Sequence, residues 1–365
     1  MKVRLLSSIR EIEEISPEWR AIFKESNDKS VFSCWEWMKT YLDCMIGEDD
    51  EIFCIVAEDK GEVVGIAPLK IKTEIRGFLK KRILTFLVSE TVDYMNFLYN
   101  SNVNVVTFLK KIIEMIKDHQ AKWDFIELKG LSSANQSTFL LSAAFSRGKL
   151  EKNIMCSDVA TPYFYIRDPE DFLVRKVIQD IKRCQRKLET QGKLEFHINE
   201  TITQPCWDNF CKLHKIVHPK GNFTKESSQK FYRKLFENPQ FTESIEFSYL
   251  TLDDEFIAGH FGFIDEQKIY YYVPTYNQDY RNLGVGLVLL KRIVEHYHAK
   301  NINILDMLRG DEAYKFKWAT HSNYNYNFYC TGNGSLYNYL YIMVFATFRN
   351  NPLIGDIYRK IRGTS

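Results

Sequence analysis

The chain has 365 residues, of which 45% are hydrophobic, 26% charged and 15% aromatic, and its formal charge is +2. That composition excludes a disordered, collagen-like or coiled-coil chain, and the near-neutral balance argues against a dedicated nucleic-acid binder. At roughly 100–200 residues per domain, two domains are expected, 1–160 and 161–365.

In chain order, a basic start (Met1 to Leu6) meets Arg10, Glu11 and Glu13 before any apolar signal core can form. A helical region from Trp19 to Leu42 leads to a hairpin, Phe53 to Ala57 and Val63 to Ala67, around a polar turn. A third strand, a helix beginning at Phe108 and a strand from Phe125 to Gly130 complete this half. Pro162 and Pro169 flank the junction, and a long helix from Phe172 to Gln191 links the halves, with Gly192 placed to stop it. Its apolar stripe (Leu173, Val177, Ile181, Cys184, Leu188) should be buried, and its basic residues form a solvated face or attract an anionic carrier. The second half repeats the order: a hairpin from Phe247 to Thr251 and Phe256 to Phe261, an aromatic strand from Lys268 to Val273, a helix from near Val285, and a strand from Leu305 to Gly310. A final helix is expected from Leu336 to Arg349. The apolar run Leu340 to Phe348 is too short for the ~20 residues a membrane span needs. Eight cysteines without Cys-x-x-Cys spacing read as reduced thiols, and a cytoplasmic protein is expected.

The halves match in detail, which makes duplication the better account. Phe108 to Glu114 reads almost like Leu289 to Glu295, and Gly65 and Gly259 fall at the same distance from Phe53 and Phe247. The informative difference lies in the loop Arg281-Asn282-Leu283-Gly284-Val285-Gly286, between the aromatic strand and its helix. Glycines there let the backbone turn and bring amides to a ligand, at the positive end of a helix dipole where a pyrophosphate can sit. In the earlier copy Val103 and Val105 stand where the later has Gly284 and Gly286, so only the second half should bind the donor.

This loop resembles the acyl-CoA pyrophosphate loop of the GNAT acyltransferase superfamily. The segment Leu305 to Trp318, with its Gly310-Asp311-Glu312-Ala313-Tyr314-Lys315 core, resembles the closing part of a CelD-like acetyltransferase group associated with cellulose and exopolysaccharide synthesis and related to the Fem aminoacyltransferases. Asn282-Leu283-Gly284 departs from the Ser-Pro-Gly turn of many relatives. The resemblance implies an α/β protein of tandem GNAT-like domains, each a mixed, mostly antiparallel sheet flanked by helices. It implies acyl-CoA (acetyl-CoA) as co-substrate, no metal, and transfer to an amine or hydroxyl of a small or carbohydrate-linked acceptor. It further implies that the sheet splays to admit the pantetheine arm, with a backbone amide among Val273 to Tyr276 polarising the thioester; Pro274 has no N–H to give.

Tyr314 is the candidate general acid, and Asp306, Glu312 and His260 are candidate bases. Asp311 suits a helix cap as well as an acceptor anchor, Lys315 either binds substrate or lies solvated beside Lys317, and a hydrogen-bonded structural role is the ordinary one for His260. Asp93 and Tyr94 are placed on the acceptor side by resemblance. His296 and His298 diverge on their helix and cannot share a metal. The alternatives are a Fem-like aminoacyltransferase using charged tRNA in cell-wall synthesis, disfavoured by the lack of a helical arm, and a non-catalytic CoA-binding module.

Overall fold

A computed structural model of the chain describes residues 1–76, 79–148, 150, 153–219 and 221–332. The helix expected over 336–349 lies outside these residues. The described chain divides into two compact units, one formed by residues 1–159 with residues 324–332, the other by Ala160–Asn323. The segment 324–332 was expected in the second domain. It packs with the first because Asn325 to Thr331 pairs antiparallel with Phe125 to Ser132, a long-range pairing that local pattern cannot specify.

Each unit contains the same run of strands. In the first, Lys2–Leu6, Cys54–Asp59, Glu62–Ala67 and Leu98–Tyr99 pair in that order, all antiparallel. In the second, Leu194–His197, Ile245–Leu252, Glu255–Ile264 and Lys268–Tyr276 do the same. The two hairpin glycines also do the same work. A Cβ on Gly65 would meet the Phe108 ring at 2.5 Å, and one on Gly259 would meet Phe256 and Phe210 at 2.8 and 2.9 Å. Each is small because an aromatic ring packs down on the hairpin. The first unit carries an added hairpin, Leu69–Arg76 and Leu79–Phe86, whose second strand pairs parallel with Phe125–Ser132.

In the second unit, helix Val285–Ala299 covers the sheet with Val288, Leu289, Ile293, Val294 and Tyr297. The linking helix is shorter than expected, Arg175–Glu189, and buries Ile178, Ile181 and Leu188 in the same core. It ends at Thr190 in a right-handed conformation rather than at a left-handed Gly192. Gly192 is small for another reason, since a Cβ there would run into the Asp253 carboxylate. Helices Gln204–Val217 and Glu226–Glu237 add an aromatic layer of Trp207, Phe210, Phe231 and Tyr232. Among the described residues no helix is long and apolar enough to cross a membrane.

Candidate functional site

Strand Lys268–Tyr276 pairs parallel with Ile304–Asp306 only from Lys268 to Tyr270. Beyond Tyr270 the strands part, and Met307 donates its amide to Pro162 at 2.9 Å. The expected splay is therefore present in the second unit, between the third strand and the next. The parting strand is also bulged: Phe261 faces Val273 and Phe263 faces Tyr270, so Tyr271 and Tyr272 together oppose Gly262.

After the strand the chain makes a 3₁₀ turn, Gln278–Leu283, passes through Gly284 at φ 62° and ψ 31°, and enters the helix at Val285. The turn is tied to the hairpin by Glu255, which accepts from Asn277 Nδ2 at 2.9 Å and Tyr280 Oη at 2.8 Å. Gly284 is left-handed and offers no side-chain cap to the helix; a Cβ there would also sit 3.0 Å from Cys184 Sγ of the linking helix. A Cβ on Gly286 would meet nothing within 4 Å. The backbone amides of Val285 and Gly286 find no backbone partner among the described residues. Arg281 is exposed and has no ion-pair partner there either. The loop 281–286 thus presents uncapped amides, a free guanidinium and open space, which is what an anionic diphosphate requires. Asn282 is exposed and Leu283 packs on the core.

The corresponding helix of the first unit carries a branched side chain, Val106, as its second residue, the position that Gly286 holds in its own helix. It begins at Val105, and the Asn104 side chain accepts the Thr107 amide at 2.9 Å.

Tyr314 packs against the core of the second unit, and burial, with Glu312 second, raises its hydroxyl above the ordinary value of 10. Its hydroxyl has no hydrogen-bond partner among the described residues. It lies near the bulge, because Tyr314 is the largest electrostatic influence on Tyr271 after burial. Asp306 faces Tyr270 across the last paired rung. It is 7% exposed, and its Oδ1 accepts the Leu308 amide at 2.9 Å. That bond braces the left-handed Leu308 (φ 58°), a structural task that leaves Asp306 poorly placed as a base.

Two other expectations change, and His260 takes its ordinary structural role rather than that of a base. Asp311 and Glu312 cap no α-helix, since only the 3₁₀ turn Lys315–Lys317 follows; both are exposed. Lys315 is neither solvated nor open to substrate. It is 5% exposed and its Nζ donates to the Arg309 carbonyl at 2.7 Å and pairs with Glu312 at 3.1 Å, closing the loop around Gly310. His260 is fully buried. Its Nδ1 binds the Glu246 carboxylate and its Nε2 accepts the Tyr272 amide at 3.1 Å, so it has no nitrogen left to act as a base. Asp93 and Tyr94 lie in the first unit. The Asp93 carbonyl accepts Asn325 Nδ2 at 2.7 Å, and Tyr94 is buried edge-on to Phe32. Glu246 and Glu255 were not anticipated, and Cys184 only as part of the linking helix's apolar stripe. The signal for Glu246 was the one charged side chain inside the buried, otherwise uncharged strand Ile245–Leu252.

Residues 175–316, which hold the linking helix, the splay, the loop and most of the Tyr314 segment, match a family model described as an acetyltransferase (GNAT) domain. That match supports a GNAT-type acyltransferase. No curated protein matches the chain. Among solved structures, FemX is similar at 12% identity and a TM-score of 0.59, with 93% of this chain and 99% of that one covered. A tandem GNAT protein from the clavulanic acid biosynthesis pathway is similar at 10% identity and a TM-score of 0.51, covering 92% of this chain and 100% of that one. The C-terminal domain of a putative lysylphosphatidylglycerol synthetase from Agrobacterium fabrum is similar at 12% identity and a TM-score of 0.53, covering 91% and 95%. At these identities what is shared is the fold: an α/β architecture of mixed sheets flanked by helices, GNAT-like, with tandem GNAT neighbours.

Proposed function

We propose that the protein moves an acyl group, acetyl in the simplest case, from acyl-CoA to an amine or hydroxyl of a small-molecule or carbohydrate-linked acceptor. The observation that carries this reading is the uncapped start of helix Val285–Ala299, with free amides at Val285 and Gly286, open space above Gly286 and the unpaired Arg281. The pyrophosphate sits on these groups, and the pantetheine arm runs into the opening beyond Tyr270. The acceptor attacks the thioester carbon and its proton passes to a base; Glu312, exposed beside Tyr314, is the carboxylate best placed for that. The thiolate leaves with the Tyr314 proton, which burial keeps on the hydroxyl.

An intact diphosphate loop favours CoA over charged tRNA as donor, although FemX shares the fold. The carbohydrate-linked acceptor rests on the CelD-like resemblance of Leu305 to Trp318. On the linking helix, Arg183 and Lys182 are engaged with Asp180 and Glu170, whereas Arg175, Lys176, Arg186 and Lys187 have no ion-pair partner among the described residues. These four are the groups that would meet an anionic carrier.

The test is incubation of the protein with isotope-labelled acetyl-CoA and a cell extract, followed by mass spectrometry. A labelled product that needs the intact protein and disappears with Arg281→Ala supports the reading. Absence of both product and acetyl-CoA binding overturns it.

A further inference from the structure

The hydrogen bonds around His260 form a chain with one consistent direction. The Asn199 amide donates to Ser248 Oγ at 3.0 Å, the Ser248 hydroxyl donates to the Glu246 carboxylate, and His260 Nδ1 donates to the other oxygen of that carboxylate. At the far end the Tyr272 amide donates to His260 Nε2 at 3.1 Å. A backbone amide can only donate, so Nε2 is the acceptor and the neutral ring carries its proton on Nδ1. Ser248, Glu246 and His260 are all fully buried. A buried carboxylate and imidazole are a poor choice for stability alone, since an apolar pair of the same volume often does as well.

What the chain ends on is the bulge. Tyr272, whose amide His260 takes, is one of the two residues that oppose Gly262, and the other, Tyr271, stacks its ring on the imidazole at 4.1 Å between centroids and 8° between planes. Gly262 makes room for this: a Cβ there would lie 2.5 Å from His260 Cε1 and run into the Tyr270 carbonyl. The bulge begins one residue after the last rung shared with Ile304–Asp306. The strand therefore leaves its neighbour at the place where the imidazole holds it.

We infer that His260, held by Glu246, is a positioning residue that pins the bulge at Tyr271–Tyr272 and keeps the sheet open where the donor's pantetheine arm enters. The inference rests on the acyl-CoA reading above for what the opening receives. The same bond takes the Tyr272 amide out of contention as a thioester donor, and Pro274 has none to give.

Two substitutions separate the ends of the imidazole. His260→Asn keeps a donor near Nδ1, so Glu246 is not left unpaired, but it cannot reach the Tyr272 amide. His260→Gln extends an acceptor oxygen to the Nε2 position. Calorimetric affinities are compared for CoA and for its pantetheine-free fragment, adenosine 3′-phosphate 5′-diphosphate, and amide exchange at Tyr272 is followed in the free protein. Fragment affinity should be the same in all three proteins. The advantage of CoA over the fragment should fall about tenfold in His260→Asn, the size expected for one lost hydrogen bond, and be largely retained in His260→Gln. The Tyr272 amide should exchange slowly in the wild type and the Gln variant and quickly in the Asn variant. If His260→Asn keeps both the CoA advantage and a protected Tyr272 amide, the brace is wrong. Should His260→Asn not fold, Glu246→Leu is measured instead, with the same two readouts and the same expected losses. Wild-type protein that binds neither probe overturns the acyl-CoA reading and the purpose given to the opening, while Tyr272 exchange still decides whether His260 holds the bulge.

Discussion

Replacing Gly286 by alanine should make the protein more stable and a poorer binder of acetyl-CoA. Gly286 is the second residue of helix Val285–Ala299, its φ is not positive, and a Cβ there meets nothing within 4 Å. Alanine for glycine at such a helical position is worth about 0.5–1 kcal/mol in the unliganded protein, a rise of a few degrees in melting temperature. The same methyl occupies the space above the amides of Val285 and Gly286. Amide–phosphate bonds are worth roughly 1.5–3 kcal/mol each, so obstructing even one weakens acetyl-CoA about tenfold or more. Gly284→Val cannot separate these effects. Left-handed backbone at φ 62° costs an L-residue about 1–2 kcal/mol, and its Cβ would press on Cys184 Sγ at 3.0 Å, so stability and binding fall together. Differential scanning fluorimetry of the free protein and calorimetry with acetyl-CoA give the two numbers. A stabilised Gly286→Ala that binds acetyl-CoA as the wild type does would show that no phosphate sits over this helix start. A destabilised one would refute the local geometry.

Arg281→Ala should weaken acetyl-CoA binding about tenfold at low salt, with a smaller difference at 0.5 M salt because the contact is exposed; an unchanged affinity at both would remove Arg281 from the site. Tyr314→Phe should lower kcat while leaving acetyl-CoA affinity unaltered, and since the hydroxyl's value is raised above 10, the wild-type rate should show no falling limb from this group below pH 10. His214 is pushed down to about 4, by burial first and by His218 second. Between pH 6.5 and 4 the unfolded chain takes up a proton that the folded one refuses, so this contribution is whole above pH 6.5 and is lost as pH falls, by about 3 kcal/mol in all. His214→Gln should flatten that slope in urea titrations at pH 7, 5.5 and 4.5; the same slope in both proteins would place the acid sensitivity elsewhere.

The elements that local pattern specifies were legible in the sequence. The hairpins, the helix after each third strand and the paired glycines Gly65 and Gly259 follow from alternation, helical period and the size of one side chain. Helices Gln204–Val217 and Glu226–Glu237 also carry a readable period, Trp207, Phe210, His214 and Phe231, Tyr232, Leu235, but the duplication offered no copy to point at them. What could not be read depends on register and fine turn geometry. Lys315 and Lys317 look alike when placed on an α-helix; in a 3₁₀ turn one is buried under the Arg309 carbonyl and the other exposed. For His260 alternation gives only a face, which leaves a base and a hydrogen-bonded structural histidine as alternatives, the second the ordinary one. Its occupation follows from one extra residue in the facing strand, which turns the Tyr272 amide toward the ring.

The comparison of the two helix starts also explains how a duplicated loop loses its ligand without losing its fold. The first amides of any helix lack intrahelical partners and must be satisfied by a side chain, water or a ligand. In the first unit the Asn104 side chain takes the third amide, that of Thr107, while those of Val105 and Val106 have no partner among the described residues. In the second, the Gly284 carbonyl takes the third amide, that of Leu287, at 3.0 Å, the amides of Val285 and Gly286 are likewise without a partner, and Gly286 places no side chain beside them. Against glycine a side-chain cap is worth only a few tenths of a kcal/mol, so capping hardly distinguishes the two starts. What separates them is the side chain at the second helical residue: a branched valine at Val106 crowds an approaching phosphate, and Gly286 has nothing there to do so.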